Sequence, residues 1–165
     1  MSEGECVIRP FRPDDREAWL ELMADICVFS PAWEAVYLDR PPFNSEFDLV
    51  AEEKGVLVGA LAGHLIQSKP KSFWSAEVLG VHPDHQKKGI GQSLLREASL
   101  RLKSGGDKMV LWTCCPMARD WYLKLGYPEI EGRSLEAYPI ERGELHVLKS
   151  VSERGRTLWA FFKAL

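Results

Sequence analysis

The chain has 165 residues and a formal net charge of −3, with 45% hydrophobic and 27% charged residues. These proportions are ordinary for a globular protein, and the length suits one domain, 1–165, with a substantial buried core. The acidic balance argues against a nucleic-acid partner and favours a cationic amine as substrate. No stretch approaches the ~20 apolar residues of a membrane span, and the N-terminus lacks the pattern of a signal peptide, so we expect a cytoplasmic protein without membrane contact.

The cysteines and histidines do not form a metal-binding pattern. The four cysteines show no Cys-x-x-Cys spacing, and His82 and His85 flank a proline loop without a second pair of ligands nearby. We therefore predict free thiols, surface histidines and no metal site.

The first part of the chain predicts a short strand and a long helix. Val7–Pro10 is the strand, and a proline in the first turn suits a helix over residues 13–28 with an apolar stripe at helical spacing. Residues 29–46 are rich in proline and aromatic side chains, and the spacing of Trp33 and Tyr37 predicts a short helix there. Two interpretations of this segment stay open: packing on the edge of a sheet, or a wall of the substrate site.

The middle of the chain predicts three strands and a helix. Residues 47–53 and 56–67 are strands joined by a turn at Lys54-Gly55, and a third strand covers 73–81. A helix then runs from about residue 89 to 103 and ends at a Gly-Gly pair. Its apolar stripe consists of Ile90, Leu94, Leu95, Ala98 and Leu102.

The last part of the chain predicts three strands and two helices. The strands lie at 108–113 and near 135–138 and 145–149, and one helix covers 117–125 and stops at Gly126. Residues 157–165 predict a second, C-terminal helix with one apolar face, formed by Leu158, Phe161, Phe162 and Leu165. We expect that helix to pack on the domain or on a second subunit, which leaves a homodimer open.

This order of elements predicts an α+β fold with a mixed, mostly antiparallel sheet of about six to seven strands and about four helices. One crossover joins the 73–81 strand to the 108–113 strand, which makes those two strands parallel. Where such a pair splays apart, its unpaired backbone groups are open to an extended ligand that carries amides. We therefore expect a ligand site at the carboxyl end of the 73–81 strand.

A glycine-containing loop follows that strand. Residues 86–91 read Gln-Lys-Lys-Gly-Ile-Gly and lead into the 89–103 helix. Glycines leave the backbone amides accessible, and the first amides of a helix have no partner within it and lie at the positive end of its dipole. Such a helix start binds phosphate or pyrophosphate. The alternative is a glycine-rich helix start that binds nothing.

A second motif strengthens the first. Residues 118–127 read Ala-Arg-Asp-Trp-Tyr-Leu-Lys-Leu-Gly-Tyr. Together with Val81-x-Pro83 and the Gln-x-x-Gly-x-Gly loop, this segment resembles two signatures of the GCN5-related N-acetyltransferases (GNAT), in the same order. The resemblance covers roughly residues 7–149. It implies the GNAT fold, acetyl-CoA as cosubstrate and no metal.

The resemblance also implies which residues contact the cosubstrate. The backbone of Leu79 and Val81 would pair with pantetheine, and an amide there would polarise the thioester carbonyl. Many family members carry an asparagine where this chain has Cys115, so that contact with the cofactor arm is not carried over. The segment that would enclose the pyrophosphate consists of Gln86, Lys87, Lys88, Gly89, Ile90, Gly91 and Gln92.

Two residues are candidates for catalysis. In the family, the tyrosine at the Tyr122 position protonates the departing thiolate, and a phenol with a pKa of about 10 stays protonated at neutral pH. Glu77 is the candidate base, because an amine acceptor must lose a proton and many relatives carry a glutamate at this place in the strand. The alternatives are a packed aromatic for Tyr122 and an ordinary strand glutamate for Glu77. Other candidates for the base are His82, Asp120 and Glu34.

The sequence therefore predicts an acetyl-CoA-dependent N-acetyltransferase in which a primary amine attacks the thioester directly in a ternary complex. A small-molecule amine is slightly favoured as acceptor. Two alternatives stay open: acetylation of protein or peptide amines, and a module that binds coenzyme A without catalysis.

Overall fold

The computed structural model describes residues 5–26, 47–66, 73–102, 108–113, 116–129 and 159–164. Within them, six strands form one sheet in chain order: β1 (Val7–Pro10), β2 (Leu49–Glu53), β3 (Val56–Ile66), β4 (Phe73–Val81), β5 (Lys108–Thr113) and β6 (Trp159–Ala164). The same residues contain three α-helices: α1 (Arg16–Ile26), α2 (Ile90–Arg101) and α3 (Pro116–Lys124). None of these three helices combines the length and the apolar character needed to cross a membrane.

The sheet is mixed and mostly antiparallel. The pairs β1–β2, β2–β3 and β5–β6 are antiparallel, whereas β4 and β5 are parallel. The parallel register runs from Trp74 opposite Met109 to Ala76 opposite Leu111, and β4 continues beyond it to Val81. The predicted α+β fold and the predicted parallel crossover are confirmed.

The chain forms two compact units, and the first contains Met1–Gly63 and Glu77–Leu102. A 3-10 turn leads into α1, whose Trp19, Leu22 and Met23 recur at helical spacing and are buried. These side chains form one core with buried residues of the strands and of the loop before α1. The other members of that core are Phe11, Val50, Leu57, Ala60, Ala62 and Val78.

Arg9 fastens the start of α1 to the sheet. Its guanidinium makes two hydrogen bonds to the Asp15 carboxylate, at 2.7 and 2.8 Å, and a third to Glu52 of β2 at 2.8 Å. Asp15 also accepts a hydrogen bond from the amide of Arg12 at 2.7 Å. The hydrogen bonds from Arg9 hold the pKa of the Asp15 carboxyl below its usual range. The pairing therefore stabilises the folded chain only while Asp15 is ionised.

The two faces of the end of β4 are set by what packs on them. Val78 lies in the core with α1, and a Cβ built at Gly80 would collide with Cγ2 of Ile26, the last residue of α1. Because side chains alternate along a strand, Leu79 and Val81 lie on the opposite face, where both are half-buried. The last turn of α1 thus packs directly behind the strand end that the family resemblance assigns to coenzyme A.

The second unit contains His64–Ala76 and Lys103–Leu165. In its described part, β5 pairs with β4 on one side and with β6 on the other. The apolar residues Met109, Val110 and Leu111 of β5 are all buried. Helix α3 packs on β5 and carries the second motif.

The predicted C-terminal helix is wrong. Trp159–Ala164 form β6, which pairs with β5 along its whole length, from Thr113 opposite Trp159 to Lys108 opposite Ala164. A short apolar run satisfies the helical and the extended pattern alike, and here the open backbone edge of β5 decides in favour of a strand. The predicted short helix near Trp33 and the predicted strands near 135–138 and 145–149 lie outside the described residues.

Candidate active site

The loop after β4 begins with a tight turn that several hydrogen bonds hold. The amide of His82 donates to the carbonyl of Val58 at 2.8 Å, next to the register shift between β2 and β3. Residues Pro83–His85 then form a 3-10 turn. The side-chain amide of Gln86 donates back to the carbonyl of Val81 at 3.1 Å. The first residue of the Gln-x-x-Gly-x-Gly motif thus ties the loop to the end of β4.

The backbone changes direction at two residues just before α2. Lys87 has a φ of 64° and Gly89 has a φ of 80°, both in the left-handed region. A Cβ at Gly89 would meet no atom within 4 Å, so the left-handed backbone, and not a lack of space, calls for glycine here. Left-handed residues of this kind build anion sites from backbone amides, and the positive end of the α2 dipole lies at the same place. The backbone of the loop and the helix dipole therefore suit an anionic group.

Two lysines immediately precede this helix start. Lys87 and Lys88 are both exposed. Lys88 also lines a cleft of about 410 Å³ beside α2, together with Arg96 and with Cys6 next to β1. Burial, as the largest cause, raises the pKa of the Cys6 thiol, which keeps it a neutral part of the wall. The remaining lining residues are Ile8, Ile90, Ser93 and Glu97.

Two carboxylates from distant elements approach the histidines of the turn. Nε2 of His82 lies 3.6 Å from Oδ2 of Asp25 in α1, and Nδ1 of His85 lies 2.6 Å from Oε2 of Glu53 in β2. The same Glu53 oxygen is 3.8 Å from Nζ of Lys88. The two imidazoles meet edge to face, with their centroids 5.7 Å apart. Sequence reasoning missed Asp25 and Glu53, because no local pattern signals a partner so far along the chain.

The second motif is a helix end with a defined hydrogen-bond pattern. Gly126, with a φ of 79°, follows α3 in the left-handed region. The amide of Tyr127 donates to the carbonyl of Tyr122 at 3.2 Å, and the amide of Gly126 donates to the carbonyl of Leu123 at 2.9 Å. These two bonds define a Schellman motif, in which the residue after the glycine contacts the residue five positions before it, here Tyr127 and Tyr122. The Tyr122 and Tyr127 rings accordingly lie 6.3 Å apart. The spacing Tyr-x-x-x-Gly-Tyr is thereby explained by geometry.

Tyr122 is a buried phenol in this helix end. Its exposed fraction is 3%, and the ring of Trp121 lies 5.1 Å from its own. Burial, with a smaller contribution from Tyr127, raises the pKa of the Tyr122 phenol well above its ordinary value. The phenol is therefore protonated at neutral pH, which is the state that a proton donor needs.

The predicted site residues are distributed over both units. The first contains the loop 86–92 together with Glu77, Leu79 and Val81 of β4. The second contains Tyr122 and also Asp120, which is exposed on α3. Two further positions singled out from the sequence, Glu34 and Cys115, lie outside the described residues.

Solved structures with this fold include several N-acetyltransferases. The polyamine N-acetyltransferase of Drosophila melanogaster aligns with a TM-score of 0.68 at 12% identity, over 98% of this chain and 100% of that one. Naa50 of Arabidopsis thaliana, in complex with a bisubstrate analogue, aligns with a TM-score of 0.60 at 18% identity, over 97% of this chain and 99% of that one. N-acetylglutamate synthase from Neisseria gonorrhoeae, complexed with coenzyme A and N-acetyl-glutamate, gives 0.63 at 20% identity over 99% of this chain, which spans only 36% of that structure's chain. At these identities the likeness establishes the fold of an acyl-CoA N-acyltransferase.

The family follows from the sequence comparisons. The family model described as "Acetyltransferase (GNAT) domain" matches residues 45–129. An acetyltransferase of Pectobacterium atrosepticum is 32% identical over 111 residues, which cover 60% of this chain and 69% of that protein. The chain belongs to the GNAT acetyltransferase family, and its enzyme class is that of the acyl-CoA-dependent N-acetyltransferases.

Proposed function

We propose that this protein is a single acetyltransferase domain that moves the acetyl group of acetyl-CoA to a primary amine by direct attack in a ternary complex. The observation that carries the proposal is the start of α2, where left-handed Lys87 and Gly89 precede the helix and Lys88 is exposed beside them. Such a helix start is suited to the pyrophosphate of an acyl-CoA. When bound, acetyl-CoA supplies the acetyl thioester. The protein has to hold it, admit the amine and move protons.

We assign residues 86–92 to the pyrophosphate and the backbone of Leu79 and Val81 to the pantetheine amides. Two observations support the second assignment. Leu79 and Val81 lie on the face of β4 opposite α1. In addition, both residues lie beyond Ala76, where the described part of the register between β4 and β5 ends.

The transfer requires one proton to leave the amine and one to reach sulfur. The amine nitrogen bonds to the carbonyl carbon while the C–S bond breaks, and the sulfur departs as a thiolate. We assign removal of the amine proton to Glu77 and protonation of the thiolate to Tyr122. The proposal for Tyr122 is supported by its place in the second motif and by a phenol that is protonated at neutral pH, although burial raises its pKa and so makes it a weaker acid. The proposal for Glu77 is supported by its place in β4, two residues before Leu79.

The acceptor that we favour is a small cationic amine. The net charge of −3 suits such a substrate, and one structural neighbour is a polyamine N-acetyltransferase. Another neighbour is bound to an analogue that joins coenzyme A to a peptide, so a peptide amine is the second candidate.

An acceptor screen tests this choice. Release of the coenzyme A thiol from acetyl-CoA is followed with a polyamine, an aminoglycoside and a peptide pool. We expect turnover with at least one of the two small amines. Turnover with the peptides alone would overturn the small-amine assignment, and binding of coenzyme A without turnover for any acceptor would favour a non-catalytic module. In the same assay, an unchanged pH–rate profile for Glu77→Gln would remove that residue as base.

Two glycines form a matched pair for testing the cradle. Gly89 and Gly55 have φ values of 80° and 81°, and a Cβ at either would meet nothing within 4 Å. Alanine should therefore cost each about 1 kcal/mol of folding stability through the same backbone strain. Only Gly89→Ala should weaken binding of coenzyme A in calorimetry, because Gly55 lies in the β2–β3 turn. Equal affinities for the two variants would contradict the assignment of the loop.

A further inference from the structure

We propose that the two carboxylate–histidine pairs hold the cofactor loop in its binding conformation. The pairs are Asp25 with His82 and Glu53 with His85, and they tie the turn after β4 to α1 and to β2. The inference rests on the proposed function. It goes beyond that function by assigning Asp25 and Glu53 as positioning residues for the acyl donor.

One ring nitrogen of His82 is hydrogen-bonded, and the other faces a carboxylate. Nδ1 accepts a hydrogen bond from the amide of Asp84 at 3.2 Å, so the neutral ring carries its proton on Nε2. That Nε2 faces the Asp25 carboxylate at 3.6 Å. The backbone amide of His82 is bonded to Val58 as well. These contacts place His82 between the end of α1 and the turn, which suits a positioning residue.

The position of Asp25 at the end of α1 is unfavourable for a negatively charged side chain. Asp25 lies in the last turn of α1, where the negative end of the helix dipole disfavours an anion. The polar group that it faces is the His82 ring, whose Nε2 lies 3.6 Å from Oδ2 of Asp25. The next residue, Ile26, packs against Gly80 of β4. The end of α1 and the end of β4 are therefore joined by one apolar and one polar contact.

Glu53 acts on two parts of the loop with a single oxygen. Oε2 lies 2.6 Å from Nδ1 of His85, at an angle outside that of a hydrogen bond, and 3.8 Å from Nζ of Lys88. The Glu53 side chain is only 18% exposed, so its charge acts on both groups with little screening by solvent. We assign it to hold the end of the turn and to attract Lys88 towards β2.

The loop needs such support because one of its residues is strained. Lys87 is left-handed at a φ of 64°, although it carries a Cβ. A conformation of this kind persists only where the surroundings enforce it, and it is found at ligand sites. The two pairs lie in the turn just before Lys87, and Glu53 also contacts Lys88 just after it. They preorganise the loop for its ligand, which improves affinity without taking part in the chemistry.

The sign of the effect on affinity tests this inference. Asp25→Asn and Glu53→Gln each remove a negative charge near a polyanionic ligand, so simple Coulomb attraction predicts tighter binding of coenzyme A. Positioning predicts the opposite, a rise of about tenfold in the dissociation constant. Titration calorimetry with coenzyme A gives that constant, and kcat at saturating acetyl-CoA should remain that of the wild type. Thermal melting verifies that each variant is folded.

Two further variants serve as controls. Asp84→Asn removes an exposed charge in the same turn but keeps the backbone amide that His82 accepts from, so binding should be unchanged or tighter. His82→Asn can keep that turn bond through its side-chain oxygen while losing the contact with Asp25, so it should match Asp25→Asn. Unchanged or tighter binding by Asp25→Asn and Glu53→Gln, with a binding-competent wild type, would overturn this inference alone. Failure of the wild type to bind coenzyme A would overturn the proposed function as well.

Discussion

Replacement of Gly80 by alanine tests how closely α1 packs behind β4. The new Cβ would collide with Cγ2 of Ile26 and lie 3.0 Å from its Cδ1. Overpacking of this kind costs about 1–3 kcal/mol. For a chain of this length, each kcal/mol corresponds to a shift of about 2–4 °C in Tm. We therefore expect Tm to fall by several degrees in a thermal unfolding experiment followed by circular dichroism.

The second-site variant Ile26→Ala identifies the cause. It removes Cγ2 and Cδ1, so it should cost stability alone but recover at least about 1 kcal/mol in combination with Gly80→Ala. Gly59→Ala is the matched control. Its Cβ would lie 3.2–3.3 Å from atoms of Gly80, Ala51 and Ile90, none of them in α1, so its effect should simply add to that of Ile26→Ala. Additivity of Gly80→Ala with Ile26→Ala would refute this description of the packing.

Three other predictions concern pH, the helix end and the acid. Asp15→Asn should lower the free energy of unfolding at neutral pH by about 1–2 kcal/mol. Because the pKa of Asp15 is depressed in the folded state, the wild type has the full contribution above the unfolded pKa of about 3.9. It loses that contribution as the pH falls through the folded pKa. Urea unfolding curves of the wild type and of Asp15→Asn should therefore converge in acid. Gly126→Ala should lower the free energy of unfolding by about 1 kcal/mol, because the backbone at Gly126 is left-handed. It should also lower kcat, because the contact between Tyr127 and Tyr122 depends on this helix end. An unchanged kcat would show that the Schellman motif does not contribute to catalysis. Tyr122→Phe should lower kcat by at least about tenfold, with Tyr127→Phe as the control. Because the pKa of Tyr122 is raised, ionisation of this phenol does not cause a fall in the rate below pH ~10. If the pH–rate profile of the wild type falls in that range, the profile of Tyr122→Phe should fall there as well.

Much of the fold follows from patterns within single elements. The bounds of β1, β4 and β5 agree with the prediction, and the stripe from Ile90 to Leu102 is buried as its spacing indicates. The parallel pairing of β4 and β5 follows from the length of the connection between them. The C-terminal strand β6 does not follow from any such pattern, because its apolar run is equally suited to a helix. Its partner, β5, is determined only by the folded sheet.

Some residues of the candidate site can likewise be predicted from local sequence motifs, and others cannot. The loop 86–92 and the Tyr122 segment are local motifs, and the Schellman bonds at Gly126 supply a physical reason for the spacing of the second. Asp25 and Glu53 carry no such signature, since each is an ordinary acidic residue on its own element. Only the packing of α1 and β2 beside the turn reveals what they contact.

The pairing of β5 with β6 has a consequence for biosynthesis. β5 ends at Thr113 and β6 begins at Trp159, so β5 is translated well before the strand that covers its edge. At about 5–20 residues per second, the ribosome needs some seconds to synthesise the intervening chain. During that interval the buried residues Met109, Val110 and Leu111 lie on a strand with an open edge, the kind of surface that promotes association between nascent chains. We therefore expect the yield of folded protein to depend on the rate of elongation after Thr113 and on the chaperones present during that interval.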